Sequence, residues 1–202
     1  MVKIKICGLT DEKEAEYLNA NKVDFAGFVL FYPQSRRNIS TEKAKKIINK
    51  LENSIKTVAV TVSPTREQIK EISRSGFDYI QIHGDTEKDL IETAGIPVLR
   101  AFNVKNINEF DMYANTSNIA GYVFDANEPG SGKTFDWSSV KKFSAGDRMV
   151  ILAGGLNADN VEEACRYLRP DAVDVSSGVE NDGGTGKDKA KIDRFVRNAR
   201  NA

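Results

Sequence analysis

The sequence predicts an α/β protein built as one (β/α)8 TIM barrel, with eight parallel strands inside a layer of helices and residues 1–202 forming a single domain. Short β-branched runs alternate along the chain with amphipathic stretches, which is the pattern of a parallel sheet covered by helices. Eight such pairs can be counted, and a chain of 202 residues is long enough for one barrel. Polar residues gather at the C-terminal ends of the strands. An open, doubly wound sheet is the alternative architecture.

The strands are placed on apolar runs that end at glycine or at a polar residue. We expect them over residues 2–7, 25–30, 57–62, 79–82, 98–102, 122–124, 150–153 and 172–175. Helices fit between them, over residues 11–21, 41–50, 65–75, 87–94, 107–113, 138–143, 160–168 and 189–198. Thr10, Ser40 and Ser63 precede helical stretches and are predicted to cap them with their hydroxyl groups. Gly76 and Gly95 are predicted to mark helix ends.

The C-terminal ends of the strands carry most of the chemically useful side chains, as the active site of a parallel barrel requires. These ends hold Cys7, residues 33–37, His83, Arg100, Asp125, the pair Gly154 and Gly155, and residues 176–178.

Strand alternation indicates which side chains point into the barrel, because residues two apart share a face. In the first strand the isoleucines face the helices, so Cys7 points inward with Lys5 one layer beneath it. The same alternation directs Gln81, His83 and Asp174 inward. Polar groups inside a barrel need partners or a ligand, so we expect these four residues to support the site from below.

Two segments have the composition of anion-binding loops. Gly154 and Gly155 follow the seventh strand, and Ser177 and Gly178 follow the eighth, where barrels often bind phosphate through backbone amide groups. Tight turns that need glycine are the alternative. The stretch GSGKT after Asp125 resembles a nucleotide-binding loop, but Asn127 stands where that motif needs its first glycine. A nucleoside triphosphate site is therefore rejected.

Composition excludes several classes of function. Lys plus Arg and Asp plus Glu both total 29, so no basic field is available for nucleic acid. No apolar run is long enough to span a membrane, and the N-terminus does not resemble a signal peptide, so we expect a cytoplasmic protein. The two cysteines, Cys7 and Cys165, are expected to be reduced thiols, with Cys165 in the core. With His83 as the single histidine, no metal site is expected.

Six sequence motifs along the chain form a recognisable set. In order, the chain carries KICGLT, GFVLFYPQSRRNIS, QIHG, FDANEPGSGKTFDW, LAGGLNADNV and DAVDVSSGVE. Together these segments resemble the phosphoribosylanthranilate isomerases in order and spacing over nearly the whole chain. The resemblance implies a cytoplasmic enzyme of tryptophan biosynthesis.

The resemblance also implies roles for particular residues. The cysteine of KICG is the general base of that family and matches Cys7, and the aspartate that closes the sixth strand is its general acid and matches Asp125. The arginine that binds the substrate carboxylate matches Arg37. Many members have proline where this chain has Arg36, and the doubled arginine makes Arg36 an alternative. Cys7 could otherwise be a buried small hydrophobe, and Asp125 could simply start a turn.

The implied reaction is an Amadori rearrangement of N-(5'-phosphoribosyl)anthranilate to the corresponding 1-deoxy-ribulose 5-phosphate, without a cofactor. An acid protonates the ring oxygen, and a base removes the C2' proton. Lys5 beneath Cys7 is expected to favour the thiolate, whereas Asp125 must hold its proton above its ordinary pKa. The expected partner is this small phosphosugar, and the protein is expected to be a monomer or a homodimer.

Three rival functions remain open. Two are other phosphosugar barrels, an indoleglycerol-phosphate synthase or a histidine-pathway isomerase with paired aspartates. The first strand ends in cysteine and not in Asp or Lys, which argues against both. The third is a non-catalytic barrel that binds a phosphate ligand. A second aminoaldose substrate is also conceivable from these residues.

Overall fold

A computed structural model describes residues 1–103, 107–126, 136–142, 145–184 and 186–202. Its eight parallel strands close into a barrel in the order in which they occur in the sequence. They are β1 (Lys3–Cys7), β2 (Phe25–Val29), β3 (Lys56–Val62), β4 (Tyr79–His83), β5 (Val98–Asn103), β6 (Ile119–Asp125), β7 (Met149–Leu152) and β8 (Ala172–Val175). The barrel closes where Lys5 of β1 pairs in register with Asp174 of β8. The predicted fold class is confirmed, and the open sheet is excluded.

Helices cover the outside of the barrel. They are α1 (Lys13–Asn21), α2 (Thr41–Ile48), α3 (Arg66–Arg74), α4 (Lys88–Glu92), α5 (Phe110–Tyr113), α6 (Val161–Leu168) and α7 (Lys189–Arg200). Turns of 3₁₀ helix occur at Ile107–Glu109, Trp137–Lys142 and Ser177–Val179. None of the helices in the described ranges is long and apolar enough to cross a membrane.

Two apolar cores follow from the alternation of strand side chains. Ile80 and Ile82 of β4 are fully buried against the helices, as are the isoleucines of β1. A second cluster fills the inside of the barrel, with Val58, Leu99, Val123 and Ile151 among its members. Polar side chains replace these apolar ones only towards the C-terminal end of the barrel. The packed lower barrel therefore acts as a floor for the site above it.

Two of the three predicted helix caps are wrong. Ser40 does cap α2, where its hydroxyl accepts a hydrogen bond from the Lys43 amide. Helix α3 is capped instead by Thr65, which forms a reciprocal capping box with Gln68, two residues after Ser63. Thr10 caps nothing. Its amide donates to the carboxylate of Glu14, which supplies the acceptor that a capping hydroxyl would otherwise provide.

Arg100 lies on the wrong side of the sheet for the predicted site. In β5, Leu99 and Ala101 face the inside of the barrel, so Arg100 faces the helices and is fully buried there. Its guanidinium lies over the rings of Phe102 and Tyr113, 5.0 and 4.6 Å from their centroids. Arg100 is therefore part of the outer packing and not of the rim, contrary to the sequence-based placement.

Two further differences concern the second half of the chain. Strand β6 is longer than predicted, since Ile119 and its neighbours also pair with β5. The predicted helix over residues 138–143 is a 3₁₀ turn at Trp137–Lys142, and residue 143 lies outside the described residues. The glycine-rich segment after Asp125, including the GSGKT stretch, also lies outside them.

Candidate active site

A cavity of about 350 Å³ opens at the C-terminal ends of the strands. The residues that line it include most of those predicted from the sequence, namely Cys7, Arg37, Gln81, His83, Asp125, Gly154, Gly155, Asp174 and Ser177. Lys5 and Gly178 are not among the lining residues. Apolar side chains, such as Val29, Val60 and Leu156, form the rest of the wall. The cavity can therefore hold a ligand that is polar at its ends and apolar in part.

A larger depression of about 1220 Å³ lies at the opposite end of the barrel. Lys3, Met149 and the C-terminal residues line it, and it is more open to solvent than the smaller cavity. Active sites of parallel barrels form at the C-terminal ends of the strands because the loops that follow can vary without disturbing the core. The smaller cavity is the candidate active site on this ground and because the polar inward residues converge there.

Cys7, at the tip of β1, shares a tight corner with the side chain of Lys5. A methyl group placed on Gly27 of β2 would lie 2.9 Å from Cys7 Sγ and 3.2 Å from Lys5 Nζ. Because Gly27 has no side chain, the thiol of Cys7 and the ammonium of Lys5 can lie side by side in this space. Lys5 Nζ donates a 2.7 Å hydrogen bond to Asp174 Oδ2, and both partners are buried. The ammonium is thus shared between the thiol and one carboxylate.

Burial and nearby charges shift the pKa of Cys7 in opposite directions. Burial raises the pKa of the Cys7 thiol, the charge of Lys5 lowers it and that of Asp174 raises it, so that the pKa lies above its ordinary value. Lys5 thus acts in the predicted direction but is outweighed by burial. Although burial acts to lower the pKa of Lys5, the charges of Asp174 and Cys7 and the hydrogen bonds to both together raise it more, so Lys5 remains an ammonium.

Asp125 closes β6 on the far side of the cavity from Cys7. Its side chain is 9% exposed, and its Oδ1 accepts a 2.7 Å hydrogen bond from the Ala126 amide. Burial raises its pKa to about 6, although the hydrogen bond from Ala126 opposes that shift. A carboxyl group with this pKa keeps its proton far more readily than an exposed aspartate, as an acid catalyst requires.

His83 and Gln81 stand side by side on β4. The amide nitrogen Nε2 of Gln81 lies 2.7 Å from Nε2 of His83. In this orientation of the Gln81 amide, its nitrogen donates and the neutral ring accepts at Nε2. Burial and the positive charges of Lys5 and Arg100 lower the pKa of His83 to about 3, so the imidazole is neutral.

Two acceptor oxygens on the cavity floor have no donor within the described part of the chain. They are Oδ1 of Asp174 and Oε1 of Gln81, both fully buried atoms. A buried acceptor without a donor costs free energy, of the order of 1–3 kcal/mol each. Hydroxyl groups of a ligand would satisfy both of them.

The loops after β7 and β8 meet above the barrel. Gly154 has a φ of +83°, and a methyl group there would collide with the Ala126 amide nitrogen. A methyl group on Gly178 would collide with the carbonyl oxygen of Leu156, so the two loops touch backbone to backbone. The amides of Gly154, Gly155, Ser177 and Gly178 donate to no acceptor among the described residues. They are available to an anion.

Arg37 and Arg36 follow β2 but differ in position. Arg37 lines the cavity and is 13% exposed, whereas Arg36 is 54% exposed and does not line it. Both guanidinium groups contact the buried carboxylate of Glu180, which follows β8. Position alone favours Arg37 as the residue that contacts a ligand.

Sequence reasoning missed several residues of the site. Asn103 lines the cavity at the end of β5, and alternation from Ala101 would have found it. Gly27, Glu180 and Lys187 surround Cys7 and Arg37. Gly27 and Glu180 lie within two of the motifs, GFVLFYPQSRRNIS and DAVDVSSGVE, but a motif does not show which side chains its residues will contact. Within the described residues, no group of three or more His, Cys, Asp or Glu side chains could hold a metal ion.

Comparison with known proteins agrees with this geometry. The family model described as N-(5'-phosphoribosyl)anthranilate (PRA) isomerase matches residues 4–198. The isomerase of that name from Clostridium acetobutylicum is 40% identical over 208 residues, covering 99% of this chain and 98% of the relative.

Solved structures give the same result. Monomers generated from the dimeric phosphoribosylanthranilate isomerase of Thermotoga maritima superpose with a TM-score of 0.86 at 35% identity, with full coverage of both chains. A phosphoribosylanthranilate isomerase in complex with reduced 1-(o-carboxyphenylamino)-1-deoxyribulose 5-phosphate superposes with a TM-score of 0.86 at 34% identity, again over both whole chains.

Proposed function

Because this chain belongs to the N-(5'-phosphoribosyl)anthranilate isomerase family, we propose that Cys7 and Asp125 divide the two proton transfers of that reaction between them. The protein converts N-(5'-phosphoribosyl)anthranilate into 1-(2-carboxyphenylamino)-1-deoxyribulose 5-phosphate, a step of tryptophan biosynthesis. The reaction opens a furanose ring and moves one hydrogen away from C2'. It therefore needs an acid on one side of the sugar and a base on the other.

Asp125 supplies the first proton. Its carboxyl group, with a pKa of about 6, donates to the ring oxygen while the bond from that oxygen to C1' breaks. The electron pair of the substrate nitrogen forms the new double bond to C1', so an iminium ion results. The proton ends on the 4'-hydroxyl group, and Asp125 is left as a carboxylate.

Cys7 takes the second proton. Its thiolate removes the hydrogen at C2', and the electron pair of that C–H bond moves towards the iminium nitrogen to give an enolamine. Lys5 stabilises the thiolate because its ammonium shares the corner beside Gly27 with Cys7 Sγ. The enolamine then gains a proton at C1' while its 2'-hydroxyl group loses one, which gives the ketone.

The ends of the substrate are held by separate groups. The amides of Gly154, Gly155, Ser177 and Gly178 bind the phosphate where the two loops meet, at the 3₁₀ turn Ser177–Val179. Arg37 binds the anthranilate carboxylate through its planar guanidinium. Asp174 Oδ1 and Gln81 Oε1 accept hydrogen bonds from sugar hydroxyl groups.

One observation supports this division most strongly. A buried carboxyl group with a raised pKa and a thiol beside an ammonium line the same cavity from β6 and β1, which are separated by β7 and β8. A non-catalytic ligand-binding barrel has no need of either arrangement.

Site-directed variants test the proposal. Cys7→Ser and Asp125→Asn should each lower kcat by at least about a hundredfold, since one proton transfer is lost in each. Binding of the reduced product analogue should stay within roughly tenfold, because that ligand needs no proton transfer. The analogue should also protect Cys7 against alkylation. A Cys7→Ser enzyme with near-normal kcat would leave the base unassigned, and Asp174 would be tested next.

Three coarser features are also proposed. We infer that residues 1–202 form one domain and that the enzyme acts in the reducing cytoplasm, where its cysteines stay free thiols. The Thermotoga maritima relative is a dimeric enzyme from which monomers were generated, so both a monomer and a homodimer are open to this chain. Sedimentation at micromolar concentration would distinguish them.

A further inference from the structure

Glu180, directly after the 3₁₀ turn at Ser177–Val179, is a buried carboxylate surrounded by three basic side chains. Arg37 Nε donates to Glu180 Oε1 at 2.5 Å and Arg37 Nη2 to Oε2 at 3.1 Å. Arg36 Nη2 donates to Oε2 at 2.5 Å, and Lys187 Nζ lies 3.3 Å from Oε1. The carboxylate is 5% exposed. Burying a charge in this way is costly unless its partners are well placed, so its geometry is under strong constraint.

The contact with Arg37 uses a particular edge of the guanidinium. A guanidinium carries five N–H groups in one plane, and Glu180 takes the side edge formed by Nε and Nη2. The end edge, formed by Nη1 and the second N–H of Nη2, donates to no other described residue. Because Arg37 lines the cavity, that end edge remains available for a second carboxylate.

The stem of Arg37 is also confined. A methyl group on Gly8 would lie 2.5 Å from Arg37 Cδ, so the side chain crosses directly over the tip of β1. Glu180 fixes the head of the same side chain from the direction of β8. Two points of contact, one on the stem and one on the head, define the plane of the guanidinium.

The carboxylate itself is held in place by the loop after β8. Lys187 is fully buried, and its ammonium contacts the carbonyl oxygen and the hydroxyl group of Ser176 as well as Glu180. The Ser176 hydroxyl in turn donates to the carbonyl oxygen of Cys7. Burial acts to raise the pKa of Glu180, but the hydrogen bonds and charges of Arg37 and Lys187 together outweigh it and hold the pKa below its ordinary value. Glu180 is therefore a carboxylate throughout the neutral range.

We propose that Glu180 is a positioning residue that orients Arg37 and makes the enzyme selective for ligands that carry the anthranilate carboxylate. The inference rests on the proposed role of Arg37. Arg36 and Arg37 bring two guanidinium charges to one carboxylate, which leaves an excess of positive charge that a second carboxylate on the end edge of Arg37 would balance. Without Glu180, the guanidinium keeps its charge but loses its orientation towards the cavity.

Glu180→Gln tests this directly, because the amide nitrogen of glutamine would face an N–H of Arg37. Two inhibitors are compared, the reduced product analogue and the same molecule with a phenyl ring in place of the carboxyphenyl ring. We expect Glu180→Gln to raise KM and the inhibition constant of the carboxylate analogue by about 10–100-fold, the usual effect of one charged hydrogen bond. The phenyl analogue should bind within about threefold of its normal affinity, and kcat should fall little.

Controls separate a failure of this inference from a failure of the proposed function. Glu162→Gln removes an exposed carboxylate paired with Arg166 on α6 and should change neither constant. Arg37→Ala should abolish discrimination between the two analogues. If Arg37→Ala does so and Glu180→Gln does not, the positioning role is overturned and the role of Arg37 stands. If Arg37→Ala leaves discrimination intact, the role of Arg37 is wrong and the inference fails with it.

A purely structural role for Glu180 has its own signature. If Glu180 only maintained the fold, Glu180→Gln would weaken the binding of both analogues equally and would lower kcat in proportion. That result would overturn the inference. Should Glu180→Gln fail to fold, Glu180→Asp serves instead. The shorter side chain keeps the charge near Lys187 but cannot reach both Nε and Nη2 of Arg37. We therefore expect a selective loss of affinity for the carboxylate analogue. An equal loss of affinity for both analogues would contradict the inference.

Discussion

At the scale of single residues, two opposite protonation states are needed in one cavity. Asp125 must be a neutral acid and Cys7 an anionic base, yet the pKa of Asp125 is about 6 and that of Cys7 is raised by burial above its ordinary value. In the free enzyme, the reactive form is therefore a minor one at neutral pH. The population of this form is constant between the two pKa values. As the pH rises there, the thiolate fraction of Cys7 increases by the same factor by which the protonated fraction of Asp125 decreases.

The first prediction is a pH profile. We expect kcat/KM to rise with pH up to a break at about 6, to stay level, and to fall only above the raised pKa of Cys7. The break at about 6 belongs to Asp125, since below it the acid is fully protonated and only the thiolate fraction still grows. In Asp125→Asn, the residual kcat/KM should continue to rise through pH 6. A break that survives this substitution would assign it to another group.

The second prediction concerns the space beside Cys7. In Gly27→Ala, the new methyl group would lie 2.9 Å from Cys7 Sγ and must displace the thiol or the ammonium of Lys5. Displacing a catalytic group by about 1 Å can cost on the order of a hundredfold in rate, so kcat should fall by about that factor. Gly183→Ala is the matched control, because nothing lies within 4 Å of the position that its methyl group would take. Equal kcat values for the two variants would show that the space shared by Cys7 and Lys5 beside Gly27 does not affect catalysis.

At the scale of elements, the loop after β7 is in backbone contact with both the loop after β8 and the residue that follows β6. Gly178 touches the backbone of Leu156, and Gly154 touches that of Ala126. Each contact requires the absence of a side chain, and each brings backbone amides towards the same part of the cavity. The glycines therefore determine how closely the loops can approach each other and the ligand.

The third prediction follows from that contact. Gly178→Ala should push the 3₁₀ turn at Ser177–Val179 away from the loop after β7 and misdirect its amides. We expect KM and the inhibition constant of inorganic phosphate to rise by roughly 10–100-fold, the effect of losing one charged hydrogen bond. Gly183→Ala, in the same loop region, should leave both unchanged. Unchanged phosphate binding in Gly178→Ala would place the phosphate elsewhere.

Elements also show what could be predicted from the sequence. β-branched runs located all eight strands, and the period of two correctly placed Lys5, Gln81, His83 and Asp174 inside the barrel. Arg100 was misplaced because a strand end was considered without its alternation. The cap of α3 was misplaced by two residues because Ser63 and Thr65 are equally suited by chemistry. Glu180 and Gly27 could not be found, since their importance depends on contacts between distant strands and loops.

At the scale of the whole molecule, the site costs stability. The pKa of Asp125 is about 6 in the folded protein, compared with an ordinary value of 3.8. The folded state therefore binds this proton more tightly than the unfolded state does. Stability from this group is fully present below about pH 4 and is lost as the pH rises through 6.

The fourth prediction is that Asp125→Asn stabilises the protein at alkaline pH. The difference between the two pKa values corresponds to about 3 kcal/mol in the free energy of unfolding. Urea unfolding should show this gain at about pH 8 and little or none at about pH 3.5. A variant that is equally stabilised, or destabilised, at both pH values would contradict the buried, proton-binding state of Asp125.

The division of labour between Cys7 and Asp125 is tested most directly by the primary deuterium isotope effect on kcat with substrate labelled at C2'. In Cys7→Ser, removal of the C2' hydrogen becomes the slow step, so the isotope effect should increase over that of the unaltered enzyme. In Asp125→Asn, ring opening becomes slow and precedes cleavage of the labelled bond, so the isotope effect should vanish. The opposite pattern, with the larger effect in Asp125→Asn, would show that the two residues exchange roles and would contradict the mechanism.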